Sequence, residues 1–338
     1  MARLRRHLLS PLGENGMGFY HCVSRVVDRN FVFGSRERDV FRKVLRQVEA
    51  FSGLRVVTWT ILSNHFHVLV EVTAPEELED EAILKRCRGL YSPGGMVAIE
   101  AGYQDARRAG DQALQAWRGR FLRRMWDLSE FMKTLKQKFT SWFNRKHDRV
   151  GTLWESRFRS VLVEGSWDCL QKVAAYIDLN AVRAGLVEDP KDFPWCGYAE
   201  AAAGDRQARR GLVSAMQQGQ GSDQIRLDWR HVSRAYRKLI FGIGEATSSR
   251  TGICRARVVE VWQRGGRLSI AELLRCRIRY FTDGVVIGSE TFVESFFQSR
   301  RGMFSVRRKS GARRMVGGDW HGLRSARALR CRAVSPPG

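Results

Sequence analysis

The sequence predicts an α+β fold, a ferredoxin-like split βαβ unit closed into a four-stranded, mostly antiparallel sheet, with a helical basic extension at the C-terminal end. Three observations predict it. Aromatic and β-branched runs near the N-terminus fall in the order strand, helix, strand, strand. Two amphipathic helical patterns then flank one more short strand-like run. After Ala203-Gly204 a Gly/Gln/Ser-rich stretch separates a second set of short, basic helical patterns.

Gly18 to Val26 reads as the first strand. A helix follows from Ser35, with Val40, Phe41, Val44, Val48 and Phe51 on one stripe and Gly53 as its stop. Leu54 to Leu62 and then His65 to Val72, joined through Ser63-Asn64, predict a hairpin. Residues 73–126 read as a partly helical insertion with an acidic start and a Ser92-Pro93-Gly94-Gly95 turn. Asp127 and Glu130 predict a capping box for a long helix whose apolar stripe is Leu128, Phe131, Met132, Leu135, Phe139, Trp142 and Phe143. Its polar side carries Lys133 and Lys136, as a solvated face or as a track for phosphates. The segment 151–164 supplies a basic turn and the fourth strand, and Ser166 caps a helix through Tyr176. Residues 1–200 are thus expected to form one catalytic domain. Residues 201–222 are expected to be a linker, 223–300 a small helical module of helix-turn-helix type or a plain helical cap, and 301–338 a basic tail disordered until it meets phosphate.

With 338 residues and 43% hydrophobic content the chain can bury a full core. Lys and Arg total 58 against 35 acids, a net charge of +23, which calls for a polyanionic partner. A membrane surface is the competing polyanion, but no run approaches the ~18 apolar residues of a spanning helix, so nucleic acid is preferred. The first residues lack the apolar core of a secretory signal, and a cytoplasmic location is expected. The seven cysteines are scattered with no C-x-x-C, which indicates neither a zinc knuckle nor a disulfide framework.

Two small groups of residues carry chemistry. His65 and His67 stand two apart in a strand and so share one face, a chelating pair for a divalent metal or a hydrogen-bonded pair of sheet histidines. Tyr176 and Asn180 stand four apart on a helix, which offers a phenol and a carboxamide together or merely a packed ring and a frayed last turn.

The segments SNHFHVLVEV, GTLWESRFRSVLVE and AAYIDLNAVRAGLVEDPKDFPW, with the opening Tyr20–Arg25, resemble the REP-associated tyrosine transposases and their IS200-like relatives, single-tyrosine members of the HUH endonuclease superfamily. The resemblance spans roughly residues 15–200. It implies that His65 and His67 are metal ligands, that Tyr176 is the nucleophile and that Asn180 is a further metal ligand or metal-side partner. Mg²⁺ or Mn²⁺ is the implied cofactor. The implied substrate is single-stranded DNA with REP-like hairpins, cut through a 5′-phosphotyrosine that a 3′-OH can later attack. Arg25, Arg157, Arg159 and Arg183, together with Lys133 and Lys136, are the expected DNA contacts. Ala181 departs from the proline that commonly follows the family's Asn, and the 73–126 insertion is longer than in compact relatives. A monomer is expected over a homodimer because of the long extension. Two rivals stay open: a non-catalytic binder of structured nucleic acid, and a hydrolytic metallonuclease.

Overall fold

A computed structural model describes residues 18–217, 228–242, 255–266, 268–329 and 333–336. The chain opens with β1 (Gly18–Arg25), α1 (Ser35–Ser52), β2 (Arg55–Ile61) and β3 (His65–Val72), in the expected order. Gly53 ends α1 at a φ of 75°, a left-handed backbone that glycine adopts without a Cβ penalty. The insertion is fully helical along most of its length: α2 (Asp80–Leu90), α3 (Pro93–Ala109) and α4 (Asp111–Leu122). Next comes α5 (Leu128–Lys146), whose first turn is capped by Asp127 accepting from the Glu130 amide at 2.7 Å. β4 (Arg159–Val163), α6 (Trp167–Asp178) and the single turn α7 (Asn180–Arg183) complete the part read from the motifs.

The C-terminal half continues with α8 (Gly197–Ala202), α9 (Arg206–Gln217), α10 (Trp229–Phe241), α11 (Arg255–Gln263) and α12 (Ile270–Leu274). β5 (Arg277–Ile278), α13 (Tyr280–Asp283), β6 (Val286–Gly288) and α14 (Glu290–Ser299) follow. The last elements are the two-residue strands β7 (Arg313–Arg314), β8 (Arg324–Ser325) and β9 (Val334–Ser335).

The sheet is larger than expected. It has seven strands in the order β2-β3-β1-β4-β6-β8-β7, and all pairs are antiparallel except β4 with β6. Four strands come from the predicted unit. The other three are two or three residues long and come from the C-terminal half, too short to show any alternation in sequence. They cover the edge that β4 would otherwise expose.

Three further expectations are corrected. Within the expected linker, α9 is a helix that buries Ala208, Leu212, Ala215 and Met216. A Cβ at Gly211 would stand 2.3 Å from the Val56 carbonyl oxygen, so α9 lies directly on β2. The Gly/Gln/Ser-rich part after Gln217 lies outside the described residues. The helical module is no separate unit either, since Val258, Leu273, Leu274, Phe281 and Ile287 share one apolar cluster with Val173, Ala174 and Ile177 of α6. Lastly, the described part of 301–338 is built into the fold rather than left as an arm. Met315, Trp320, Leu323 and Leu329 are buried, and Arg301 and Arg308 donate to backbone carbonyls of their own segment and of Ala326. These guanidiniums are engaged by backbone carbonyls, a structural use that a charge count cannot see.

Strand alternation sorts the apolar residues into two layers. Tyr20, Cys22, Phe66, Val68 and Val70 meet α1 and α5 through Phe41, Val48, Phe131, Leu135 and Phe139. Phe19, Leu69, Val161 and Val163 meet α6 on the other side. His21, His65 and His67 alternate with the first set and therefore lie on the α6 side.

Candidate active site

The antiparallel register of β1 and β3 sets Val23 opposite His67 and Arg25 opposite His65. On the α6 side this makes a row of His21, His67 and His65. His21 Nε2 lies 2.9 Å from His67 Nδ1, with the two rings stacked at 5.1 Å between centroids. His65 and His67 have ring centroids 5.2 Å apart. Tyr176 of α6 stands against this row, its ring centroid 6.3 Å from those of both His21 and His67. The structure therefore brings His65, His67 and Tyr176 together from a strand and a helix far apart in sequence.

Hydrogen bonds decide which nitrogens remain free. His21 Nδ1 lies 2.7 Å from the Phe281 carbonyl, which can only accept, so this nitrogen carries the proton. A neutral His21 then accepts at Nε2, His67 Nδ1 donates to it, and the His67 lone pair is left on Nε2. His65 reaches the same state by another route. The Asn64 amide nitrogen donates to the Arg29 carbonyl at 2.8 Å, which turns Asn64 Oδ1 toward His65 Nδ1 at 2.7 Å. Each of the two imidazoles thus holds its Nδ1 proton in a hydrogen bond and keeps an Nε2 lone pair.

The electrostatics favour neutral rings and an anionic guest. Burial pulls His21 down to about 4, and burial with the nearby Arg25, Arg183 and Arg277 pulls His65 down to about 3. His67 is lowered well below its ordinary value, by burial first and then by the neighbouring imidazoles and Arg183. Arg183 is itself buried. Its guanidinium lies 3.9 Å from the Tyr176 ring centroid and donates to the Tyr176 and Leu274 carbonyls at 2.7 and 2.9 Å. Tyr176 is 3% exposed, packs edge-on against Phe281 at 5.0 Å, and makes no side-chain hydrogen bond among the described residues.

The other residues singled out from sequence distribute unevenly. The Asn180 amide nitrogen donates to the Ile177 and Tyr176 carbonyls at 3.0 and 3.4 Å, closing the end of α6, and its Oδ1 has no protein partner among the described residues. Arg25 is beside the histidines. Arg159 is exposed and paired with Asp283 at 3.1 Å. Lys133, Lys136 and Arg157 are elsewhere, lining with Gln137 and Trp154 a groove of about 950 Å³ between α5 and the 152–158 loop. That groove opens on the opposite face of the sheet from the histidines. Two members of the site escaped sequence reasoning: Arg277, in a two-residue strand, and His21. The parity Phe19, His21, Val23 was legible, but the register that sets His21 beside His67 was not.

Among the described residues no cluster of three or more His, Cys, Asp or Glu is placed to hold a metal ion. What the site offers instead is two imidazole Nε2 nitrogens, a sparse neutral set that would leave a divalent ion to take its other ligands mostly from water or substrate oxygens. No described helix is long and apolar enough to cross a membrane.

No protein-family model and no curated protein matches the chain. Among solved structures it is similar to one described as a REP-associated tyrosine transposase bound to a REP hairpin, at 17% identity and a TM-score of 0.39, over 67% of this chain and 96% of that one. A likeness at that level assigns no role to any residue here.

Proposed function

We propose that the protein is a metal-dependent enzyme that cuts and rejoins single-stranded DNA next to hairpins, a single-tyrosine transposase of the type its motifs resemble. The observation that carries this reading is the packing of Tyr176 against His67, whose ring lies beside that of His65, with the Nε2 lone pair of each of these two imidazoles free. Structural sheet histidines have no need to keep those lone pairs available, whereas metal ligands do.

In this reading His65 and His67 hold Mg²⁺ or Mn²⁺, with Asn180 as the third protein donor, and the bound ion supplies Lewis-acid polarisation of the scissile phosphate. The Tyr176 oxygen forms a bond to phosphorus as the bond from phosphorus to the 3′ oxygen breaks. The phenol proton leaves to solvent, and the released 3′ oxygen takes one up. Because one phosphate ester replaces another, a 3′-OH can attack the phosphotyrosine later and restore a DNA strand without an external energy source. Arg25, Arg183 and Arg277 bring positive charge to the place where the phosphate would sit, and the +23 net charge draws a polyanion to it.

The burial of Tyr176 favours one rival, a non-catalytic binder of structured nucleic acid in which this ring only packs. Incubation with end-labelled hairpin oligonucleotides and Mn²⁺, followed by denaturing electrophoresis, separates the two. The proposal requires a covalent protein–DNA band with the nucleotide mapped to Tyr176; tight binding with no band would leave the rival. Release of a free 5′ phosphate with no adduct would instead indicate a hydrolytic nuclease.

A further inference from the structure

We infer that His21 is a positioning residue: through a relay from the Phe281 carbonyl it holds His67 in the tautomer whose Nε2 is free, so the C-terminal part of the chain sets the ligand face of the histidine pair. The inference deepens the proposed function and rests on its reading of His67 as a metal ligand.

The relay has a direction because its first member cannot donate. The Phe281 carbonyl accepts from His21 Nδ1 at 2.7 Å, and His21 Nε2 accepts from His67 Nδ1 at 2.9 Å. A neutral imidazole has one proton, so fixing it on one nitrogen makes the other an acceptor, and the choice passes from ring to ring. Reversing the relay would leave the buried carbonyl facing a lone pair. His21 and His67 are 0% and 3% exposed, so water cannot easily repair such a mismatch. With both nitrogens engaged, His21 is itself excluded as a ligand.

The anchor of the relay is well held. Phe281 is fully buried in α13, and its ring packs on both Tyr176 and Trp320. From the same stretch of chain, the Leu274 carbonyl accepts from Arg183, the cation over the Tyr176 ring. One C-terminal segment thus touches the histidine row and the tyrosine helix at once. Hydrogen bonds behind a histidine ligand fix its tautomer and orientation, and their loss typically costs roughly 10- to 100-fold in metal affinity.

The test uses the full-length chain labelled with ¹⁵N-histidine. In the metal-free wild type, ring-nitrogen shifts should show His21 and His67 protonated at Nδ1 and bare at Nε2; a His67 protonated at Nε2 would overturn the inference with no mutation involved. His21→Phe should give a mixture of His67 tautomers and weaken Mn²⁺ binding, followed by electron paramagnetic resonance of the free ion, by roughly 10-fold or more. His21→Gln should recover most of that affinity, because its amide can donate to Phe281 and accept from His67. Unchanged Mn²⁺ affinity in His21→Phe, with His67 still in the single tautomer, would also overturn it. A wild type that shows the predicted tautomers but binds no Mn²⁺ would sink the metal reading while supporting the relay.

Discussion

The Tyr236 hydroxyl donates to Asp178 Oδ2 at 2.6 Å, tying α10 to the helix that carries Tyr176. Asp178 is fully buried and also accepts from Thr58 at 2.7 Å and from the Tyr198 amide at 3.2 Å. Burial pushes its carboxyl up to about 7, against the lowering effect of these donors. The folded protein therefore keeps this proton to near neutrality, whereas the unfolded chain gives it up near the ordinary value of 3.8. The contribution to stability is complete below pH 4 and is lost as the pH rises toward 7. In urea unfolding, the stability of the wild type relative to Asp178→Asn should fall between pH 5 and pH 8, by on the order of 2 kcal/mol. The histidines of the site titrate in the opposite sense, so the difference between the two proteins is the quantity to measure; a difference independent of pH would refute the assignment.

Tyr176→Phe keeps the ring, its contact with Arg183 and its packing on Phe281, and removes only the oxygen. It should bind hairpin DNA and Mn²⁺ like the wild type and form no covalent adduct. Tyr20→Phe, Tyr198→Phe and Tyr236→Phe should still form it, although Tyr236→Phe should lower stability by about 1 to 2 kcal/mol through the lost hydrogen bond. An adduct on any tyrosine but Tyr176 would contradict the mechanism.

Removing either free imidazole should separate chemistry from binding. His65→Ala and His67→Ala are each expected to abolish cleavage while most DNA affinity remains, and excess EDTA should do the same to the wild type. Asn180→Ala should be milder, raising the Mn²⁺ concentration needed for half-maximal cleavage. Full cleavage in EDTA is the result that would remove the metal from the account.

Arg277 stands near His65 without having been recognisable in the sequence, and it offers a test of the cationic surroundings. Arg277→Gln should weaken hairpin binding and lower the slope of log affinity against log salt by about 0.7 to 0.9, the loss expected for one phosphate contact. An unchanged slope would place the DNA elsewhere, the groove of Lys133 and Lys136 being the next candidate.

Gly211→Ala tests the packing of α9 on β2. The added methyl would meet the Val56 and Val57 carbonyl oxygens at 2.3 and 2.7 Å, backbone atoms that cannot swing aside. A loss of roughly 1 to 3 kcal/mol in thermal or urea unfolding is expected, as for an overpacked core. A neutral result would mean that α9 is a loosely held linker after all.

What could be read from sequence follows from element length. α1, α5 and α6 run for three turns or more and carry a full apolar stripe, and β1, β2 and β3 are runs of at least seven residues rich in aromatic and β-branched side chains. Their existence and order were therefore legible, as was the meeting of a histidine strand with a tyrosine helix once the motifs were recognised. β6, β7 and β8 have two or three residues each and gain their identity only from partners. The arginines after Arg300 suggested a free arm because composition counts charges and not the carbonyls they satisfy. Lys133 and Lys136 shared a polar helix face with nothing in the sequence to say which side of the sheet that helix would take.

The parallel pairing of β4 with β6 joins Leu162 to Val286 and Val163 to Ile287. During synthesis, β4 is therefore finished long before its neighbour exists, and the nascent chain carries an open sheet edge for more than a hundred residues of elongation. Closing so long a loop costs little extra stability, since the entropy grows only with the logarithm of length, but it delays the contact. The Phe281 carbonyl arrives in the same late segment as β6. Until that segment docks, the histidine row lacks its anchor, and the timing of translation separates a chain that already holds Tyr176 and the imidazoles of β1 and β3 from one in which His21 has found the Phe281 carbonyl.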